Sequence, residues 1–173
     1  MKNIILIGMP GAGKSTIGVV LAKKTGYSFI DSDLLIQERE KMLLYEIIEQ
    51  KGLEVFKQIE NAVNASIQTE HSIIATGGSA IYGKKAMAHF QAIGSIIYLK
   101  LDYQEIESRV GDLEQRGVAL PPGCTLKELY EERTPLYEKY ANFTIDCSMK
   151  SIREIVAELF NLIIYSSLAP ENR

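Results

Sequence analysis

Residues 8–16 read Gly8-Met9-Pro10-Gly11-Ala12-Gly13-Lys14-Ser15-Thr16, and the fold turns on how this stretch is read. The spacing G-x-x-x-x-G-K-S predicts a phosphate-binding loop only where a strand leads in and a helix leads out. Both flanks are present. The apolar run Ile4-Ile5-Leu6-Ile7 predicts a buried parallel strand, and Ile17, Val20 and Leu21 recur at helical spacing beyond the loop. Gly8, Gly11 and Gly13 let the backbone turn its N–H groups toward an anion. A helix starting near Lys14 adds its positive dipole end. Lys14 then reaches the outer phosphates as a point charge, and the Ser15 hydroxyl is placed to hold the magnesium that travels with a nucleoside triphosphate. The loop predicts nucleotide binding and leaves open what receives the phosphate.

The chain of 173 residues predicts one domain, 1–173, with room for a core. At 46% hydrophobic and 24% charged residues it has ordinary globular composition. Its net charge of -3 supplies no phosphate-attracting field. That argues against a nucleic-acid or membrane-surface role and for small-molecule partners. No stretch approaches the ~18 apolar residues of a membrane span, and the opening Met-Lys-Asn reads as the approach to the first strand rather than as a signal peptide. Cys124 and Cys147 lack disulfide or metal-site spacing, so reduced thiols of a cytoplasmic protein are expected.

Gly26 ends the first helix, and Tyr27-Ser28-Phe29-Ile30 predicts a second strand that delivers Asp31 and Asp33 to its carboxyl end. If strand geometry continues to Asp33, both carboxylates face the crevice that holds phosphate. There one orients a magnesium-bound water and the other accepts a proton from an attacking hydroxyl. Equally, Asp31-Ser32-Asp33 reads as the cap of a helix beginning at Leu34. Leu35, Ile36, Leu43, Leu44, Ile47 and Ile48, then Phe56, Ile59, Val63 and Ile67, predict at least two helices broken at Gly52. The part of this insertion from about 33 to 60 is expected to wall an acceptor pocket, with Lys57 and Glu60 paired three residues apart on one face.

Ser72–Thr76 predicts a third strand opening into Gly77-Gly78-Ser79, and a helix around Lys85–Phe90 leads to a fourth strand at Ser95–Leu101. Asp102 caps a helix that carries Arg109. Residues 111–124 gather Gly111, Gly117, Pro121, Pro122 and Gly123 around Arg116, the composition expected of a lid that brings positive charge and excludes water. Leu126, Leu129 and Tyr130 resume helical spacing into Arg133-Thr134-Pro135-Leu136-Tyr137, before a fifth strand at Phe143–Asp146 and a closing helix from Ile152 to Tyr165. The expected fold is α/β: a five-stranded parallel sheet with helices on both faces in three layers, and ligands at the strand carboxyl ends.

With its parts in this order the chain resembles the shikimate kinase family over residues 2 to 165. The resemblance is carried by the phosphate loop with Ile17-Gly18, by Asp31-Ser32-Asp33, and by the Gly-x-x-x-Phe-basic-x-x-Glu run from Gly52 to Glu60. Ala75-Thr76-Gly77-Gly78, the Arg116 lid and Arg133-x-Pro-Leu-Tyr complete it. It implies a P-loop kinase fold and a cytoplasmic, monomeric enzyme of aromatic amino acid biosynthesis. That enzyme uses ATP and Mg2+ to phosphorylate the 3-hydroxyl of shikimate in line. It further implies that Gly11, Ala12, Gly13, Lys14, Ser15, Thr16, Arg109 and Arg116 hold the nucleotide, Arg109 by stacking on adenine, and that Ser15 and Asp31 lie at the metal. Asp33 is then the base, with Lys14 and Arg116 stabilising the transferred group. Asp33, Lys57, Gly77, Gly78 and Arg133 bind the acceptor. Three positions depart from the family pattern. Lys57 stands for an arginine and loses its planar two-point grip, Ser79 stands for a third glycine, and Gly117-Val118 follows Arg116 in place of Pro-Leu. The alternatives are a paralogue acting on another small hydroxy carboxylate, and a nucleotide-dependent switch. The switch lacks an Asn-Lys-x-Asp motif and leaves Asp33, Lys57 and Arg133 without a task.

Overall fold

The computed structural model describes residues 3–110 and 118–168. Arg116 and the first half of the expected lid lie outside the described residues. Five strands, β1 (Asn3–Ile7), β2 (Ser28–Asp31), β3 (Ser72–Ala75), β4 (Gly94–Lys100) and β5 (Phe143–Asp146), form one parallel sheet in the order β2-β3-β1-β4-β5. β1 is buried at every position, as an unbroken apolar run must be in a strand with neighbours on both sides and helices on both faces. Register sets Ile5 of β1 beside Ile74 of β3 and Ile96 of β4. The edge strands β2 and β5 are more exposed and less apolar. Connections run one way from β1 and the other way from β3, so the order reverses between those two strands. The carboxyl ends of β1, β2 and β3 therefore open on one crevice, where open α/β sheets bind ligands.

The helices are α1 (Lys14–Thr25), α2 (Ser32–Glu40), α3 (Leu44–Lys51), α4 (Leu53–Ala65), α5 (Lys84–Ile93), α6 (Tyr103–Arg109), α7 (Leu126–Tyr140) and α8 (Ile152–Leu168). α1 packs on β3 and against α8, while α4 packs on α5 and α5 on β4. The insertion after β2 holds three helices, since α2 ends at Lys41 in a left-handed turn with φ 55°. No glycine or proline marks that break, so the sequence shows only the one at Gly52.

Two cores result. The main one runs along the sheet, and a smaller one joins Ile36, Ile47, Phe56 and Val63 of the insertion with Ala119, which lies beyond the undescribed segment. α7 continues through Pro135, a residue that cannot donate within a helix. Beside it the Thr134 hydroxyl donates to the Tyr130 carbonyl at 2.7 Å.

Candidate active site

The phosphate loop takes the shape that its glycines permit. Gly13 caps α1 at φ 88°, and Lys14 is the first helical residue, so the free N–H groups of that first turn face the crevice. Ala12 is buried and donates its N–H to the Met9 carbonyl at 3.2 Å, which tightens the turn. Lys14 is buried too, and its Nζ donates to the carbonyls of Gly8 and Met9, each at 2.8 Å. Burial lowers its pKa, with the nearby Asp33 charge opposing. Ser15 and Thr16 stay exposed at the mouth. Arg109, the last residue of α6, pairs with Glu105 at 2.8 Å and stands beside Gly11, close enough for its Cβ to lie 3.6 Å from a Cβ built there.

Both readings of Asp31-Ser32-Asp33 hold in part, with a correction. Strand geometry stops at Asp31, and α2 begins at Ser32, two residues before the expected start. Asp31 is the N-cap: its Oδ1 accepts from the Asp33 N–H at 3.0 Å. Its other oxygen, Oδ2, accepts from the Ser15 hydroxyl at 2.7 Å, so the cap also reaches the phosphate loop. Asp33 sits in the first turn of α2 and lines the cavity. Burial and the charge of Asp31 push its pKa up, and Lys14 opposes them.

A cavity of about 550 Å³ joins the loop to the insertion. Gly11, Gly13, Lys14, Ser15, Thr16 and Arg109 line one end. Asp33, Glu60, Gly77, Gly78, Ser79 and Arg133 line the other, with Phe56, Leu44 and Val118 as apolar wall. Arg133, fully buried, donates Nη2 to the Ala119 carbonyl at 2.7 Å and Nε to the Tyr82 hydroxyl at 3.3 Å. Its Nη1 lies 3.0 Å from where a Cβ on Gly78 would stand. Four residues on, Tyr137 donates its hydroxyl to the Gly78 carbonyl at 2.6 Å. Residues i and i+4 share a helix face, which explains the Arg133-x-Pro-Leu-Tyr spacing: both ends of the motif grip one turn.

Lys57 is set apart. The expected pair with Glu60 does not form: Glu60 is buried and bonded to Ser79, while Lys57 is half-buried with other partners. Lys57 pairs with Glu54 at 3.1 Å and lies 4.9 Å over the Tyr82 ring, outside the cavity lining. Glu60 is 1% exposed, accepts from Ser79 at 2.6 Å, and is pushed up to about 7 by burial, against the Ser79 hydrogen bond. Sequence reasoning missed Glu60, which lines the cavity, and Tyr82, which accepts from Arg133 behind it. Glu60 left one signal: it falls between Phe56 and Val63 on the apolar stripe of α4, where a solvated charge has no place.

This sheet order, with this loop after β1 and one cavity running from it to the helical insertion at the same strand ends, defines a P-loop kinase. A shikimate kinase family model matches residues 10–164. Curated relatives include a shikimate kinase of Caldanaerobacter subterraneus subsp. tengcongensis, 35% identical across 95% of this chain and 97% of its own. Another, from Sulfurihydrogenibium sp., is 34% identical across 94% and 98%. Among solved structures, a shikimate kinase from Acinetobacter baumannii in complex with shikimate superposes with TM-score 0.82 and 28% identity, covering 97% of this chain and 96% of that one. The chain belongs to the shikimate kinase family.

Proposed function

We propose that this protein transfers the γ-phosphoryl group of ATP to the 3-hydroxyl of shikimate in one in-line step. The observation that carries this reading is the cavity itself, in which a phosphate loop faces a buried carboxylate, Asp33, and a buried guanidinium, Arg133. An acidic polyol needs a basic anchor at one end and a carboxylate at its reacting hydroxyl. Asp33, made more basic by burial, takes the hydroxyl proton as the oxygen–phosphorus bond forms and the bond to the β-phosphate oxygen breaks, releasing ADP. Lys14 neutralises charge on the transferred group.

The nucleotide phosphates lie on the backbone of Gly11 to Thr16, and Arg109 stacks on the adenine. Ser15 Oγ and Asp31 Oδ2, two hard oxygen donors held 2.7 Å apart, suit Mg2+, which keeps waters and phosphate oxygens as its other ligands. When bound, the ion neutralises phosphate charge. Arg116, which lies outside the described residues, is assigned to the transferred group by the family resemblance alone, and Val118 and Ala119 after it line the cavity.

Arg133 and the Gly77-Gly78 turn hold the acceptor carboxylate. Lys57 joins them by leaving Glu54, an 81% exposed partner whose ion pair is worth at most ~1 kcal/mol. The insertion, about 33–60, is thus the acceptor-binding region of a single kinase domain. We place the protein as a monomer in the cytoplasm. Cys124 and Cys147 are free, and among the described residues no helix is long and apolar enough to cross a membrane.

The test is a coupled ADP-release assay with magnesium and ATP, run with shikimate and with other small hydroxy acids. Shikimate-dependent turnover with a KM in the usual range, about 1 μM to 1 mM, supports the reading. Turnover only with another hydroxy acid would replace shikimate as the acceptor.

A further inference from the structure

Ser79 puts a side chain where a third glycine would leave none, and that side chain is engaged. It is buried, and its hydroxyl donates to Glu60 Oε2 at 2.6 Å, tying the turn after β3 to α4. With Oε2 taken, Glu60 Oε1 has no hydrogen-bond partner among the described residues, and neither has Asp33 Oδ1. Both atoms approach the same place: a Cβ built on Gly77 would lie 2.5 Å from Glu60 Oε1 and 2.8 Å from Asp33 Oδ1. The turn therefore needs glycine at 77 to leave room for two carboxylate oxygens. Above the raised Glu60 pKa of about 7 both carboxylates are ionised and only accept, so the pair then asks for a ligand with two donors set close together. Neighbouring hydroxyls on one ring meet that demand.

We propose that Ser79 is a positioning residue for the acceptor, holding Glu60 so that Oε1 accepts from the hydroxyl adjacent to the one Asp33 deprotonates. The inference rests on the reading that a hydroxy carboxylate is phosphorylated in this cavity. It makes a vicinal diol part of what the pocket selects, and it gives the departure at position 79 a function. It also accounts for the pairing of Lys57 with Glu54, since the carboxylate three residues on is held by Ser79 instead.

The test compares shikimate with its analogue lacking the 4-hydroxyl, the one next to the reacting position. Ser79→Ala raises the KM for shikimate about tenfold, the scale of a lost hydrogen bond to a charged group. It leaves the KM for ATP and the KM for the 4-deoxy analogue where they were. Ser79→Thr, which keeps the hydroxyl, restores the shikimate value, and in a Glu60→Ala background Ser79→Ala has no further effect. Ser79→Gly, with less side chain to misplace, reproduces Ser79→Ala and covers a fold defect in the alanine variant.

A pH profile adds a readout that packing alone would not move. Glu60 faces Asp33 from α2, Lys14 from α1 and Arg133 from α7, besides Ser79. Losing the Ser79 bond raises its pKa further, so the Ser79→Ala penalty is larger at about pH 6 than at about pH 8.5. Equal losses on shikimate and on the 4-deoxy analogue, with wild-type turnover of shikimate intact, would overturn the inference and leave the proposed function standing. A wild type that never turns over shikimate would remove both.

Discussion

The two ends of the cavity are built on different principles. The nucleotide end is nine consecutive residues whose anion site is mostly main chain, held by glycines in conformations that no other residue takes easily. The end proposed for the acceptor is Asp33, Glu60, Ser79 and Arg133, side chains drawn from α2, α4, the turn after β3 and α7. A main-chain site costs little to keep, since its N–H groups belong to a helix that forms anyway. A side-chain site of buried charges carries a standing desolvation cost. The upward shifts of Asp33 and Glu60 record that cost, and at the loop end only the buried Lys14, with its lowered pKa, shares it. The comparison teaches where each kind of change should be felt: nucleotide affinity should survive most substitutions at the acceptor end, and acceptor recognition should not.

Asp33→Asn is the hardest test of that division. It should lower kcat by about 10³-fold or more, in the upper range for a lost general base. The nucleotide Kd, measured by titration of a fluorescent analogue, should stay within about threefold. A parallel loss of nucleotide affinity would join the two ends. Arg133→Ala comes next, raising the KM for shikimate by about 100-fold through loss of a charge-assisted anchor while the KM for ATP holds. Should both constants rise together, the guanidinium serves the fold rather than the acceptor.

Glu60→Gln tests the cost itself. In the unliganded protein the Glu60 pKa is raised from 4.5 to about 7, so the folded state binds its proton more tightly than the unfolded chain. The resulting stability is full below the unfolded value and lost as pH rises through about 7. Wild type should therefore weaken between about pH 5 and pH 8 by an amount on the order of 2–3 kcal/mol more than Glu60→Gln does, read from urea melts. Identical pH dependence would mean that Glu60 carries no strain. The smallest effect is expected from Lys57→Arg, which should lower the KM for shikimate about twofold to threefold by adding a planar donor pair. No change would leave Lys57 with Glu54 and Tyr82 alone.

Legibility followed the same division. The loop, β1 and α1 could be read outright, because one contiguous pattern specifies a turn, a helix start and a ligand. The five strands are legible as apolar runs, whereas their order in the sheet, β2-β3-β1-β4-β5, is set by long-range pairing that no local run shows. Asp31-Ser32-Asp33 reads equally as a strand end and as a helix cap, because the spacing alone does not show that one cap side chain can also bond Ser15. The pairing expected of Lys57 and Glu60 fails because i, i+3 spacing shows adjacency and not which of two neighbours is buried. The link from Ser79 to Glu60 spans nineteen residues and two elements, and no local rule reaches that far. The end of α2 at Lys41 was invisible because a lysine there adopts what glycine usually supplies.

The most direct test of the whole arrangement is to identify the product. Phosphorus NMR of a completed reaction between shikimate and magnesium ATP reads which oxygen received the phosphoryl group. With Arg133 holding the carboxylate and Asp33 at one hydroxyl, a single phosphate ester at the 3-position is expected. A mixture of esters, an ester at another hydroxyl, or inorganic phosphate alone would contradict the geometry on which the account stands.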